Sequence, residues 1–454
     1  MIKLVALISS IGIAVCFAAP IVALVIYAIA RPLLTPAAFA GVTLFGVPIT
    51  TPFSMAILAV GMWNLFLQRS WGLIGSHSLM LNGMLVCAAF SVAQSVAKGA
   101  SMVGMIKLMT GWMIFVIAYN GVRKEEDALT LYKAIALSSV IPICYGFYQA
   151  IMDVVWRGGL ERVSSVMGTN NAYGIYLSMA LVATTLVVMR ADTRRGRLLY
   201  SCVLVAIVVS QVLAQNRGTW IALTLAALAA TLRYRHKIQV RYVVYVALFI
   251  FVFFSGIIAS RFEQLAEKRP YARYENTLVA RIEYWKAIAP VIAERPLLGY
   301  GVGTASIVTQ KYLGSSSPPH NDYVRLSLEV GVFGALCYAL FLLQIMLYFW
   351  FRRVRDEVWK ANFAMIMLSI YLPVITMFQN IAYNLVNFPF FLILVGAAIK
   401  LNQLAAPKQE APKPLVAPIS PVSPVSPVPP AGARHKVKST NTRPTTLGPR
   451  GAGR

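Results

Sequence analysis

The sequence predicts an all-α polytopic membrane protein of about 12 transmembrane helices, with one large periplasmic loop containing amphipathic helices. Three observations predict this class. Of the 454 residues, 58% are hydrophobic and only 13% charged, whereas a soluble domain carries about 25% charged residues. Mean hydropathy is +0.68, and apolar runs of the roughly 20 residues needed to cross a bilayer recur almost end to end. Basic residues gather in alternate connections, as the positive-inside bias requires.

The candidate spans fall at roughly 4–30, 50–68, 75–95, 102–121, 130–152, 171–190, 196–214, 217–233, 240–259, 321–351, 361–379 and 382–401. The first is preceded by Lys3 and contains Pro20. It lacks a convincing cleavage site, so a retained helix is expected, kinked or split at the proline. Alternate loops carry Arg69, then Arg123 and Lys124, then Arg190, Arg194, Arg195 and Arg197. The series continues with Arg233, Arg235, Lys237 and Arg241, then Arg352, Arg353, Arg355 and Lys360. The intervening short loops are nearly bare, holding Lys98, Arg157, Arg162 and Arg217. Both termini are therefore expected in the cytoplasm.

This gives a helical domain over residues 1–404 with a hydrophilic loop at 260–320 on the outer side. Residues 405–454 form a tail rich in Pro, Ser, Lys and Arg, as in Pro421-Val422-Ser423-Pro424. Such a composition cannot bury a core and predicts a disordered cytoplasmic segment. The net charge of +25 invites a nucleic-acid reading. No aromatic-interleaved basic groove or helix-turn-helix pattern accompanies it, so the charge is read as orienting the chain, with membrane lipids as its partners. The five cysteines all lie inside apolar runs and read as small buried hydrophobes.

Arginines in short outer loops need a reason. Arg217 sits in the tight turn Gln215-Asn216-Arg217-Gly218-Thr219, and Arg162 and the Asn170-Asn171 pair lie in the previous outer loop. Arg217 is either a snorkelling interfacial cation or a ligand for an anionic head group held at the membrane plane. In the large loop Arg261, Lys268, Arg269, Arg273, Arg281, Lys286, Arg295 and Lys311 face five carboxylates. There Leu278, Ile282, Trp285, Ile288 and Ile292 recur at helical spacing and predict an amphipathic helix, its apolar face toward bilayer or bundle. Arg281 falls one turn before Trp285, where a planar guanidinium can grip two phosphate oxygens.

The run Pro296-Leu297-Leu298-Gly299-Tyr300-Gly301-Val302-Gly303-Thr304 lacks the spacing and the strand–turn–helix context of a nucleotide fingerprint. It reads as a tight turn bringing backbone close to membrane or ligand. Ser317-Pro318-Pro319-His320-Asn321-Asp322-Tyr323 opens the tenth span. The prolines force an extended approach, and Asn321 or Asp322 caps the helix. His320 is either a base at the helix mouth or a hydrogen-bonding residue. Arg325 and Glu329, one turn apart inside the apolar run, read as a structural ion pair. No cluster outside the membrane has divalent-metal spacing, so no metal or cofactor is expected.

Four stretches together resemble the O-antigen ligase and polymerase superfamily. They are Gly168-Thr169-Asn170-Asn171-Ala172-Tyr173-Gly174; Asn216-Arg217-Gly218-Thr219-Trp220; Arg281-Ile282-Glu283-Tyr284-Trp285 running into the glycine turn; and His320-Asn321-Asp322-Tyr323. No single motif is specific, but their order and spacing are, over roughly residues 160–350. The resemblance implies an inner-membrane glycosyltransferase whose periplasmic site moves a glycan from an undecaprenyl diphosphate carrier. In a ligase the acceptor is the lipid A–core oligosaccharide. Arg217 and Arg281 would bind the diphosphate and His320 would serve as base. Arg162, Asn171 and Asn321 would line the site. A polymerase or protein O-oligosaccharyltransferase of the same superfamily is the nearest alternative. A transporter or flippase for a lipid-linked anion is the alternative of another class.

Overall fold

The computed structural model describes residues 16–35, 43–44, 47–48, 50–68, 77–157, 159, 161–237, 277–352 and 358–405. Within them every apolar run is a helix, as backbone groups in lipid must be satisfied internally. In chain order these are α1 (Pro20–Leu33), α2 (Thr50–Gln68), α3 (Leu79–Ala93), α4 (Lys98–Gly121), α5 (Glu125–Ser138) and α6 (Val140–Arg157). There follow α7 (Asn170–Arg190), α8 (Arg194–Leu213), α9 (Arg217–Arg233), α10 (Thr277–Glu294), α11 (Ala305–Leu313), α12 (Asp322–Phe351), α13 (Trp359–Thr376) and α14 (Asn387–Leu404). Two short strands, Thr43–Leu44 and Val47–Pro48, pair antiparallel before α2.

Among the described residues seven helices are long and apolar enough to cross a membrane, with α5 and α6 forming one of them, Glu125–Trp156. Helices α1 and α3 are apolar but shorter, and α9 has 17 residues. The candidate span 240–259, the loop residues 260–276 and the tail lie outside the described residues. The expected break at Pro20 is present: Ala19 has φ −130° and ψ 83°, and the helix restarts with proline in its first turn. The span expected at 130–152 starts earlier, at Glu125. It is interrupted at Ser139, three residues before Pro142, whose missing N–H removes a helical hydrogen bond.

Helices α7, α13 and α14 form the inside of the bundle, each burying most of its apolar length, whereas α8 lies at the rim. α14 packs on α4, α5 and α7; α13 lies against α9, α12 and α7; and α12 lies against α3. At one end of the bundle the basic loop residues meet helix C-terminal carbonyls, which carry the negative end of the helix dipole. Arg233 donates to Trp350 O at 3.1 Å, Arg352 to Asn402 O at 3.0 Å and Lys360 to Met189 O. Arg190 pairs there with Glu125 at 2.6 Å.

Helix α12 is broken within its length. Gly331 has φ +82° and ψ 168°, which frees the carbonyls before it. Tyr300 N donates to Leu328 O at 2.9 Å, Gly301 N to Glu329 O at 2.8 Å and Val332 N to Pro296 O at 2.8 Å. The glycine turn 299–303 is thus sewn into the break. A Cβ on Gly299 would lie 2.5 Å from Glu329 C, and one on Gly331 would lie 2.0 Å from Leu297 O. The close backbone approach expected of this run is real, but its partner is α12.

Candidate functional site

The end of the bundle opposite the basic carbonyl contacts is assembled from four connections. Gln215 turns the chain with φ +52°, an unusual conformation for a residue with a side chain. Asn216 then caps α9, its Oδ1 accepting from Thr219 N at 3.3 Å, while its Nδ2 donates to Asn171 O at 3.5 Å. Asn170 Nδ2 donates to Ala214 O at 3.1 Å. Gly174 admits this contact, since a Cβ there would lie 3.2 Å from Asn216 Cβ. Arg217 follows as the first residue of α9 and is half-buried. Its neighbour Gly218 faces Ile375 and Phe378 at the end of α13.

Helix α10 contributes Arg281 to the same place, its Nη1 donating to Phe378 O at 3.0 Å. Of the apolar face expected of this helix, Ile288 is buried and Ile292 half-buried against Val291, Tyr300, Ala305, Val308 and Leu328, while Ile282 is exposed. Trp285 Nε1 donates to Pro319 O at 2.7 Å and Tyr284 Oη to Ser317 O at 2.5 Å. These two bonds fix the extended segment carrying His320. That histidine has φ +50° and places Nε2 3.4 Å from Ser317 Oγ. Asn321 is the cap of α12, accepting from Tyr323 N at 2.9 Å and Val324 N at 3.2 Å. Asp322, fully buried, instead accepts from Ile381 N at 2.8 Å, Ala382 N at 3.0 Å and Tyr338 Oη at 3.3 Å.

Electrostatics ties these groups into one cluster. Burial, then the charge of Arg217, holds the Arg281 guanidinium below its usual range. Burial, then the charges of Arg281 and Arg325, pushes the His320 imidazole down from its ordinary value. Arg217 thus acts on Arg281, and Arg281 and Arg325 act on His320, which favours the neutral imidazole. Arg162 is exposed; among the described residues no contact links it to this cluster. Asn171 and Asn321 touch the turns that present Arg217 and His320 through Asn171 O and the Asn321 cap.

The expected ion pair is present. Arg325 Nε meets Glu329 Oε1 at 3.1 Å, with Glu329 fully buried. The same oxygen accepts from Ala305 N at 2.9 Å, and the Arg325 guanidinium lies 4.3 Å from the Tyr383 ring centroid. Sequence reasoning missed Lys107, which sits nine residues into α4, about 14 Å along its axis. With Arg325 and Tyr383 it lines a cavity of about 310 Å³. The signal was available: a lone ammonium inside an apolar run is expensive and faces a cavity or a partner. Among the described residues, no three His, Cys, Asp or Glu side chains gather as a metal site.

Two comparisons bear on this arrangement. Residues 202–339 match the family model described as O-antigen ligase, a region that contains Arg217, Arg281, His320 and Arg325. The chain is also 22% identical over 253 residues to the ComP-specific O-oligosaccharyltransferase of Acinetobacter baylyi (strain ATCC 33305 / BD413 / ADP1). That match covers 51% of this chain and 45% of the relative, so the chain spans about half the length of the curated relative it matches. The apolar helices mark a multi-pass membrane protein, and over residues 202–339 the chain is similar to the O-antigen ligase family.

Proposed function

We propose that the protein is an O-antigen ligase of the bacterial inner membrane. It transfers O-antigen glycan from undecaprenyl diphosphate to the lipid A–core oligosaccharide on the periplasmic face. What supports this reading is that Arg217, Arg281 and His320, from three separate segments of the matched region, act electrostatically in series. Arg217 and Arg281 receive the donor diphosphate. Guanidinium forks suit charged oxygens; Arg281 reaches Phe378 O just past α13, and Gly218, next to Arg217, lies against Phe378.

In the reaction the acceptor hydroxyl attacks the anomeric carbon of the donor. The bond from that carbon to the diphosphate oxygen breaks, and the diphosphate leaves with the electron pair. Charge grows on the phosphate oxygens, where a preorganised donor commonly contributes ~3 kcal/mol of transition-state stabilisation. The neutral His320 imidazole takes the proton from the attacking hydroxyl. Attack opposite the leaving group inverts the anomeric centre, and the diphosphate bond supplies the driving force without ATP or metal. Asn171 and Asn321 line the site by shaping its turns.

The Acinetobacter baylyi relative favours a second reading, a protein O-oligosaccharyltransferase sharing donor and site but with a polypeptide acceptor. A polymerase would take a second lipid-linked glycan as acceptor. Incubating the purified protein with carrier-linked glycan, with and without lipid A–core, decides among them. Transfer that requires lipid A–core is expected, and glycan products formed without it would sink the ligase reading. For a transporter of lipid-linked anions, His320→Ala would leave transport intact.

A further inference from the structure

Lys107 and Arg325 share a cavity, with Tyr383 at its wall and glycines Gly99, Gly104 and Gly303 along its side. The glycines leave the wall as bare backbone: a Cβ on Gly303 would lie 3.2 Å from Gly104 Cα and 3.0 Å from Ala100 O. This side of the cavity is therefore closely packed backbone, while Lys107 and Arg325 make the space cationic. Its volume of about 310 Å³ lies at the lower end of ligand-sized pockets, roughly 300–1,000 Å³. It fits a head-group fragment and not a whole oligosaccharide.

Charge decides the kind of fragment. Lys107 lies within electrostatic range of Arg325, Arg31 and Glu329, and Arg325 also of Asp322, so three cations stand against two carboxylates. Glu329 shares its Oε1 between Arg325 Nε and Ala305 N, and its one charge is set against several cations. Arg31 is 6% exposed, and its Nε and Nη1 have no hydrogen-bond partner among the described residues. Uncompensated positive charge along an apolar helix is costly unless an anion joins it. The cavity also adjoins the proposed reaction centre, since Arg325 lines it and acts electrostatically on His320. His320 therefore feels Arg281, which is within range of Arg217, and Arg325, which shares the cavity with Lys107.

We propose that the cavity lined by Lys107, Arg325 and Tyr383 binds a phosphate group of the acceptor, so that the acceptor is a phosphorylated lipid and not a polypeptide. The inference rests on the glycosyl-transfer reading above and deepens it, because two phosphate-bearing lipids then meet on either side of one imidazole. The shared chemistry is a phosphate on a lipid, whether it belongs to lipid A or to a second polyprenyl diphosphate.

The test uses the full chain in lipid nanodiscs, as wild type, Lys107→Gln and Lys107→Arg. Equilibrium binding of lipid A–core, of its enzymatically dephosphorylated form and of undecaprenyl diphosphate is measured directly, together with steady-state transfer. Lys107→Gln is expected to weaken binding of phosphorylated lipid A–core, or raise its KM, at least 10-fold. Its affinity for undecaprenyl diphosphate should stay within two-fold, and Lys107→Arg should restore most of the loss. Dephosphorylated lipid A–core should bind wild type and Lys107→Gln equally. If only a polyprenyl-diphosphate-linked glycan shows the Lys107 dependence as acceptor, the phosphate belongs to that lipid. Unchanged acceptor binding in Lys107→Gln, or a loss confined to the donor, overturns the proposal. If wild type binds phosphorylated lipid in a Lys107-dependent way but transfers nothing, the transfer reading fails while the phosphate site stands.

Discussion

Replacing Gly331 by alanine should unlock the site end of the protein from its bundle. The native backbone at this position has φ +82°, and an added Cβ would lie 2.0 Å from Leu297 O. Real contacts of this kind stay beyond 3.0 Å, so backbone on one side must move. Three hydrogen bonds depend on the present arrangement, from Tyr300 N, Gly301 N and Val332 N. At about 1 kcal/mol net apiece, with roughly 1–2 kcal/mol for the left-handed conformation and about 1 kcal/mol returned by alanine's helix propensity, the loss is about 3–4 kcal/mol. Thermal unfolding of the purified protein, followed by intrinsic fluorescence, reads this directly. Gly159→Ala is the control, since a Cβ there meets nothing within 4 Å. An unfolding midpoint for Gly331→Ala equal to that of the control would refute the account of the glycine turn as a backbone dock.

The remaining predictions concern chemistry. Arg217→Ala or Arg281→Ala alone should slow transfer by about 10²–10³-fold, the usual effect of losing one transition-state donor. The double variant should fail to bind undecaprenyl diphosphate, and retained binding would mean that the diphosphate lies elsewhere. His320→Ala should lose transfer while keeping donor affinity, checked by direct binding beside a transfer assay. Because His320 is held below its usual range, transfer should persist on acidification through pH 6.5 and fall only at lower pH. Arg281→Gln removes one repelling charge, so the acidic limb of its residual activity should move to higher pH, and an unmoved limb would count against His320 as base. Chelator treatment should leave the rate unchanged; loss restored by a divalent cation would overturn metal-free transfer.

The helices and the break at Pro20 were legible because apolar periodicity and proline are local signals. Arg217, Arg281 and His320 stand out as candidates by charge or position, each within its own segment. The glycine turn was legible as a close approach but not in its partner. That partner is a pair of carbonyls exposed only because Gly331 breaks α12 some thirty residues later, and nothing local announces such a break. The amphipathic face of α10 was visible, yet whether it met lipid or protein depended on Tyr300 and Leu328 arriving from other segments. Asn321 or Asp322 read as the cap of α12, and Asn321 is that cap. The partners of Asp322, Ile381 and Ala382, lie across a long-range contact. Lys107 was overlooked because attention went to loops, although its charge inside α4 was the plainer anomaly.

The break at Gly331 also bears on how such a chain enters a bilayer. From Gly331 to Phe351 the sequence carries no charged residue, and that stretch can be inserted as an ordinary apolar segment. Asp322, Arg325 and Glu329 sit on the short helical piece before it, held by bonds to the glycine turn and to the 381–382 connection instead of by a continuous helix. An Asp or Arg dragged to the centre of an inserting helix costs about 2.5–3.5 kcal/mol. Separating the two pieces lets biogenesis and catalysis make different demands on one element. The apolar piece can be threaded first, and the charged piece can dock when its partners arrive from the rest of the chain.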